Sequence, residues 1–203
     1  MRIKSSLAAF IGVSALVLLS ACAPVFSIHP YYTNKDLTFD FGLVGTWIDE
    51  SDKNEKSAVI IERMDSGGTS GYSIKLTQIT KQPSNPPASE EYDGYLFKLG
   101  SQEFLDAVES NVQSGDEDVL VLALPAHMLF KVSLEGDELT LSYLDDDWVK
   151  KNVESGKISI RHEAGDNETP VLTAQTDELQ AFVLAHVNDK DAFSSLTPMR
   201  RRK

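Results

Sequence analysis

One cysteine stands in 203 residues, apolar runs are short, and bases are few beside acids. A lone Cys22 excludes an intramolecular disulfide, so an apolar core must hold the fold. The N-terminal apolar run, Leu7 to Leu19, is 13 residues long and contains Gly12 and Ser14. Spanning about 30 Å of hydrocarbon takes about 20 residues, so no retained transmembrane helix is expected. The 19 basic residues against 31 acidic ones leave a net charge of −12. Such a surface repels phosphate backbones and anionic headgroups, which argues against nucleic-acid binding and against adhesion through a basic face. A charged partner would be basic.

Catalytic signatures are missing as well. His29, His127, His162 and His186 show no H-E-x-x-H or H-x-H spacing of the kind that gathers a zinc ion. Gly67-Gly68-Thr69-Ser70-Gly71 has the outline of a nucleophile elbow, but it lies between two strand-like runs, whereas the elbow needs a strand followed by a helix. Asp116-Glu117-Asp118 and Asp145-Asp146-Asp147 lack the alternating ligands, central glycine and distant glutamate of a calcium loop. A solvated loop and a helix cap explain them. No catalytic residue, metal ligand or cofactor site is expected, and the chain reads as a non-enzyme.

What is present begins at the N-terminus. Arg2 and Lys4 precede the apolar run, and Leu19-Ser20-Ala21-Cys22 follows, with small residues before the cysteine. This segment resembles the signal peptide and lipobox of bacterial lipoproteins. The resemblance implies that residues 1–21 are removed, that Cys22 carries a diacylglyceryl thioether, and that in Gram-negative cells its new amino group is acylated. Each buried CH₂ contributes about 0.8 kcal/mol and a single myristoyl chain holds only marginally, so two or three chains make a stable anchor. Ala23, where some lipoproteins have Asp, resembles the pattern of cargo passed to the outer membrane. The expected location is the outer membrane facing the periplasm, with surface exposure as the alternative. Acylation of Cys22 leaves no thiol for catalysis. Losing residues 1–21 removes two bases and no acid, so 17 bases face 31 acids over 182 residues, a net −14.

Residues 22–36 contain Pro24, Pro30, Val25, Phe26, Ile28, Tyr31 and Tyr32, unlike a swinging Gly/Ser tether. A short lipidated leash is expected there, lying near the bilayer or docked on the domain. The body, 37–196, has the size of a single domain and reads as β-rich. Residues 197–203, ending Arg200-Arg201-Arg202-Lys203, read as a basic flexible tail, and Lys81 to Pro87 as a loop. No internal repeat is visible.

Between these ends the period is mostly two. Tyr72, Ile74 and Leu76 alternate with polar residues, Met128, Phe130, Val132 and Leu134 alternate with Leu129, Lys131 and Ser133, and Tyr95, Phe97 and Leu99 share one parity. These patterns predict half-buried strands, seven to nine between Gly45 and His162, including Val119 to Ala123. Asp65-Ser66-Gly67-Gly68, Gly100-Ser101 and Glu135-Gly136-Asp137 supply hairpin turns, so the strands form an antiparallel up-and-down meander or barrel. Two helices interrupt it. A short one is capped by Asp145 or Asp146 and stops before Gly156. A C-terminal amphipathic one starts at Thr176 with Leu179, Phe182, Val183 and Val187 on one face. That face should pack outside the meander.

Gly45-Thr46-Trp47 at the start of the first strand resembles the Gly-x-Trp signature of lipocalins, which implies an up-and-down barrel with a late basic residue covering the tryptophan. Arg161 is the candidate cover. Gly45 to Glu50, Leu124-Pro125-Ala126-His127, Asp145 to Trp148 and Val171 to Ala174 followed by Glu178 to Phe182 are similar to a set of uncharacterised bacterial lipoproteins, a resemblance that implies no activity. Two roles follow for a monomeric, membrane-anchored barrel, ahead of a third in which the same fold is an enzyme. One is to bind a small apolar or amphipathic ligand. The other is to act as a structural or protein-interaction lipoprotein of an envelope assembly, its interior filled. Tyr72, Tyr95, Phe97, Phe130 and Tyr143 are the side chains expected to fill or line that interior. His127 is expected to face outward or sit at a strand start, and His162 to stand in water at a strand end or project into the barrel mouth.

Overall fold

Alternating apolar and polar residues make sheets only when turns return the chain, and glycine supplies those turns. Gly67 and Gly68 adopt φ of +59° and +84°, the left-handed geometry of a two-residue hairpin that matches strand twist. The computed structural model describes residues 24–49, 51, 56–79, 89–110, 125–164 and 169–203. Cys22 with the signal segment, Lys81 to Pro87, Asp116 to Asp118 and Val119 to Ala123 lie outside the described residues.

The elements in chain order are β1 (Phe26–Ser27), a 3-10 turn (Phe41–Leu43), β2 (Gly45–Asp49), β3 (Lys56–Ser66), β4 (Thr69–Ile79), β5 (Ser89–Leu99), β6 (Gln102–Glu109), β7 (His127–Glu135) and β8 (Glu138–Leu144). Then come α1 (Asp146–Glu154), β9 (His162–Ala164), β10 (Pro170–Leu172), α2 (Thr176–His186), β11 (Phe193–Ser195) and β12 (Met199–Arg201). Strands β2 to β8 pair consecutively and antiparallel, as the meander requires. β12 lies between β8 and β2, pairing Met199 with Leu139 and Arg201 with Trp47. The result is a closed antiparallel barrel of eight strands with two helices outside it, lipocalin-like in plan. The flexible-tail expectation for 197–203 is therefore corrected. Met199 is buried in the core and the last strand closes the barrel, because β2 and β8 would otherwise present unpaired edges.

β1 pairs antiparallel with the start of β7 and parallel with β10, while Val25 and Tyr31 are fully buried. Residues 24–36 are thus packed into the body as a docked strap, one of the two placements expected for them.

Two apolar clusters sit on opposite faces of one strand wall. Inside the barrel, Trp47, Ile61, Tyr72, Leu96, Leu105 and Leu139 belong to a single buried cluster. Outside it, Phe97, Phe104, Leu129 and Leu144 pack against the strap and against Leu179, Phe182 and Val183 of α2, with Val187 alongside. The predicted stripe of α2 is the face that packs. Tyr95 and Phe97 are expected inside, but they make tilted ring contacts with Tyr32 of the strap, at centroid distances of 5.1 and 6.1 Å. Their parity serves the outer layer, because Leu96 on the other parity fills the interior.

Local rules set the helices. Asp145 caps α1, its Oδ1 accepting the Trp148 N–H at 2.9 Å, and Gly156 adopts φ of +69° just beyond the end. α2 starts at Thr176, where the Glu178 carboxylate accepts the Gln175 N–H at 3.2 Å.

Candidate functional site

Four places stand out on the molecule: the plugged barrel end, a buried carboxylate under the strap, and two open surface hollows.

At the end where β2 begins, Trp47 is fully buried and its Nε1–H donates to the Leu43 carbonyl at 2.9 Å. The Arg201 guanidinium lies over the indole, 4.3 Å from its centroid, and donates to the carbonyls of Val44, at 2.7 Å, and Gly42. One planar fork thus satisfies two carbonyls beside the 3-10 turn and closes the ring face. Gly45 makes room for it. A Cβ there would stand 2.6 Å from Arg201 Nη1, and φ is already +148°. The Gly-x-Trp motif therefore has a packing reason, but its basic cover is Arg201, not Arg161. Arg161 instead ion-pairs with Glu178, holding that carboxyl below its usual range together with the Gln175 N–H.

Under the strap, Asp106 on β6 is fully buried. Its Oδ2 accepts the Tyr31 N–H at 2.8 Å, and its Oδ1 lies 2.7 Å from His127 Nδ1. A buried carboxylate is tolerable only with such partners. His127 opens β7, the strand start expected for it, but at 8% exposure it is buried and does not face water. Its outward parity on the barrel holds, but the strap covers that face. Ser27, its cross-strand neighbour, is fully buried, and Ser27 Oγ accepts the His29 N–H at 3.2 Å. Ser27, His127 and Asp106 therefore cross three strands on one face, the serine fully buried. The Tyr31 hydroxyl is buried without a partner, and burial followed by the Asp106 charge pushes its pKa far up. Asp106 itself went unnoticed in the sequence, although an acid inside Phe104-Leu105-Asp106-Ala107-Val108 is the signal that would have found it.

The other histidines are placed at the surface. His162 is exposed at a strand end, Nδ1 near the Ile160 carbonyl at 2.8 Å. His186 sits at the helix edge, 2.7 Å from Asp189 and against Trp148 and Phe182. His29 Nε2 lies 3.0 Å from Gln175. Among the described residues no three His, Cys, Asp or Glu side chains converge as metal ligands would, and no helix is long and apolar enough to cross a membrane.

One surface hollow, of about 380 Å³, lies between Asn34 of the strap, Leu37 to Phe39 just after it, and the β3–β4 turn at Gly68 to Ser70. Beside it Phe41 is 66% exposed, edge-on to Phe39, and Arg63 covers both rings at 5.4 and 5.7 Å. A second hollow, of about 310 Å³, is lined by Phe26, Ser27, Ile28, Pro125, Ala126 and Val171. Both are depressions of the surface.

No family model, curated protein or solved structure matches this chain.

Proposed function

We propose that this chain is a non-catalytic envelope lipoprotein, anchored through lipid on Cys22 and acting by protein contacts, its barrel serving as a rigid filled body. Lipid on Cys22 rests on the lipobox, and outer-membrane location on Ala23. The interior carries the choice between the two roles. A barrel that holds a small apolar ligand needs free volume along its axis, whereas here Trp47, Tyr72, Leu96 and Leu139 are all less than 2% exposed and belong to one packed cluster. Phe39 stacks on Tyr72, with centroids 4.8 Å apart, at the edge of that cluster.

Titration with a fluorescent apolar probe tests the filled interior. No saturable binding is expected. One-to-one binding displaced by a fatty acid would restore the ligand-carrying role. Anchoring is read separately by labelled fatty acid in cells, where Cys22→Ala should abolish incorporation, and wild-type labelling of the variant would sink the lipobox reading.

A further inference from the structure

The strap leaves almost no slack between Cys22 and the folded body. Pro24 already forms a β-bridge with Asp145, and the Val25 N–H donates to the Leu144 carbonyl at 3.1 Å. Val25 is fully buried, so this fastening is part of the core. Cys22 and Pro24 are two residues apart, which caps the distance between their Cα atoms at about 7 Å. A domain hung on so short a connection takes up a defined attitude to the bilayer.

The topology says which attitude. Leu144 ends β8, and at the same end of the barrel lie Asp49, Ile79 and Glu109, the last residues of β2, β4 and β6. Ala192 is there too, its carbonyl accepting the Asp145 N–H at 3.1 Å. The hairpin turns at Gly67–Gly68, Gly100 and Gly136 lie at the other end, with the Trp47–Arg201 plug and the exposed Phe41 ring. β8 alone has seven residues, so the ends are about 20 Å apart at about 3.3 Å per residue.

We infer that the acylated protein stands on the bilayer with its β8–α1 end against the headgroups and its hairpin end, carrying Phe41 and Arg63, turned away from them. This rests on acylation of Cys22 and deepens that reading, since it names the face that meets the lipid and the face left to a partner. Charge plays no part in the attachment, because the body is acidic. Covalent reach alone sets the orientation.

The full-length acylated protein in vesicles of phosphatidylethanolamine and phosphatidylglycerol provides the test. With Cys22 acylated, Lys190→Cys or Ser66→Cys introduces one free thiol for a fluorophore. Lys190 is exposed beside Ala192 at the anchored end, and Ser66 is exposed at the β3–β4 hairpin. Nitroxide on the lipid headgroups should quench the probe on Lys190→Cys several-fold more than that on Ser66→Cys. A flexible spacer of 12 Gly/Ser residues after Ala23, with an r.m.s. span of about 20 Å, should level the two. Flotation with the vesicles but equal quenching at both sites, or stronger quenching on Ser66→Cys, overturns the orientation while leaving acylation standing. Loss of flotation overturns both.

Discussion

Trp47 and Arg201 act as one unit, and substitution at either reads the barrel plug. Truncating a core tryptophan costs about 3–5 kcal/mol, a large share of the roughly 5–15 kcal/mol that holds a domain folded. Trp47→Ala should shift urea midpoints by that order. Arg201→Ala should cost less but remain well outside the surface range, since it removes the ring contact and leaves the Gly42 and Val44 carbonyls without their donor. Arg201→Lys should not rescue it, because an ammonium cannot reach two carbonyls from one plane. A Trp47→Ala change within about 0.5 kcal/mol of wild type would remove the plug. The two strand histidines differ in kind. His127→Ala strips a partner from buried Asp106, and leaving such a group unsatisfied costs about 1–3 kcal/mol or more. His162→Ala, at an exposed strand end, should stay within about 0.5 kcal/mol. Equal urea midpoints for the two variants would mean that the Asp106 contact contributes nothing.

At the scale of elements, the two chain ends do the closing. A chain ending at Pro198 loses β12, exposing edges of β2 and β8 and emptying the place of Met199. It should melt at a markedly lower temperature and self-associate in size-exclusion runs; an unchanged melting temperature would return the tail to irrelevance. The strap has its own pH-sensitive clasp. Asp36 accepts from the Thr33 N–H at 3.0 Å, the Thr33 hydroxyl at 2.5 Å and Gln180 Nε2 at 2.9 Å, tying the strap to α2. Burial works to raise its pKa, but the hydrogen bonds from Thr33 and Gln180 outweigh that and hold it below 3.8. A carboxyl whose folded pKa is depressed contributes stability above its unfolded value and loses it as pH falls through the folded one. The stability gap between wild type and Asp36→Asn should therefore be full at neutral pH and shrink in acid below pH 3.8. Urea melts of both proteins across that range check it, and a gap that widens in acid would contradict the clasp.

At the scale of the whole molecule, what could be read in the chain was what depends on neighbours in sequence. Period-two runs and glycine turns specify a meander, because side chains alternate and left-handed turns return the strand. Asp145 and Gly156 bound α1, and the 179, 182, 183, 187 spacing names the buried face of α2. Tertiary structure alone decided which parity of β5 faces inward, since Leu96 and Phe97 are equally apolar and it is the outer layer, with the Tyr32 and Phe104 rings, that takes Phe97. The same holds for His127, whose polarity pointed to water until Asp106 and the strap enclosed it, and for Arg201, which looks like tail until the open edges of β2 and β8 recruit it. Local pattern determines the elements because its forces act within a few residues. The closing strand, the docked strap and the plug arise between residues up to 159 positions apart, where only the assembled barrel brings donor to acceptor.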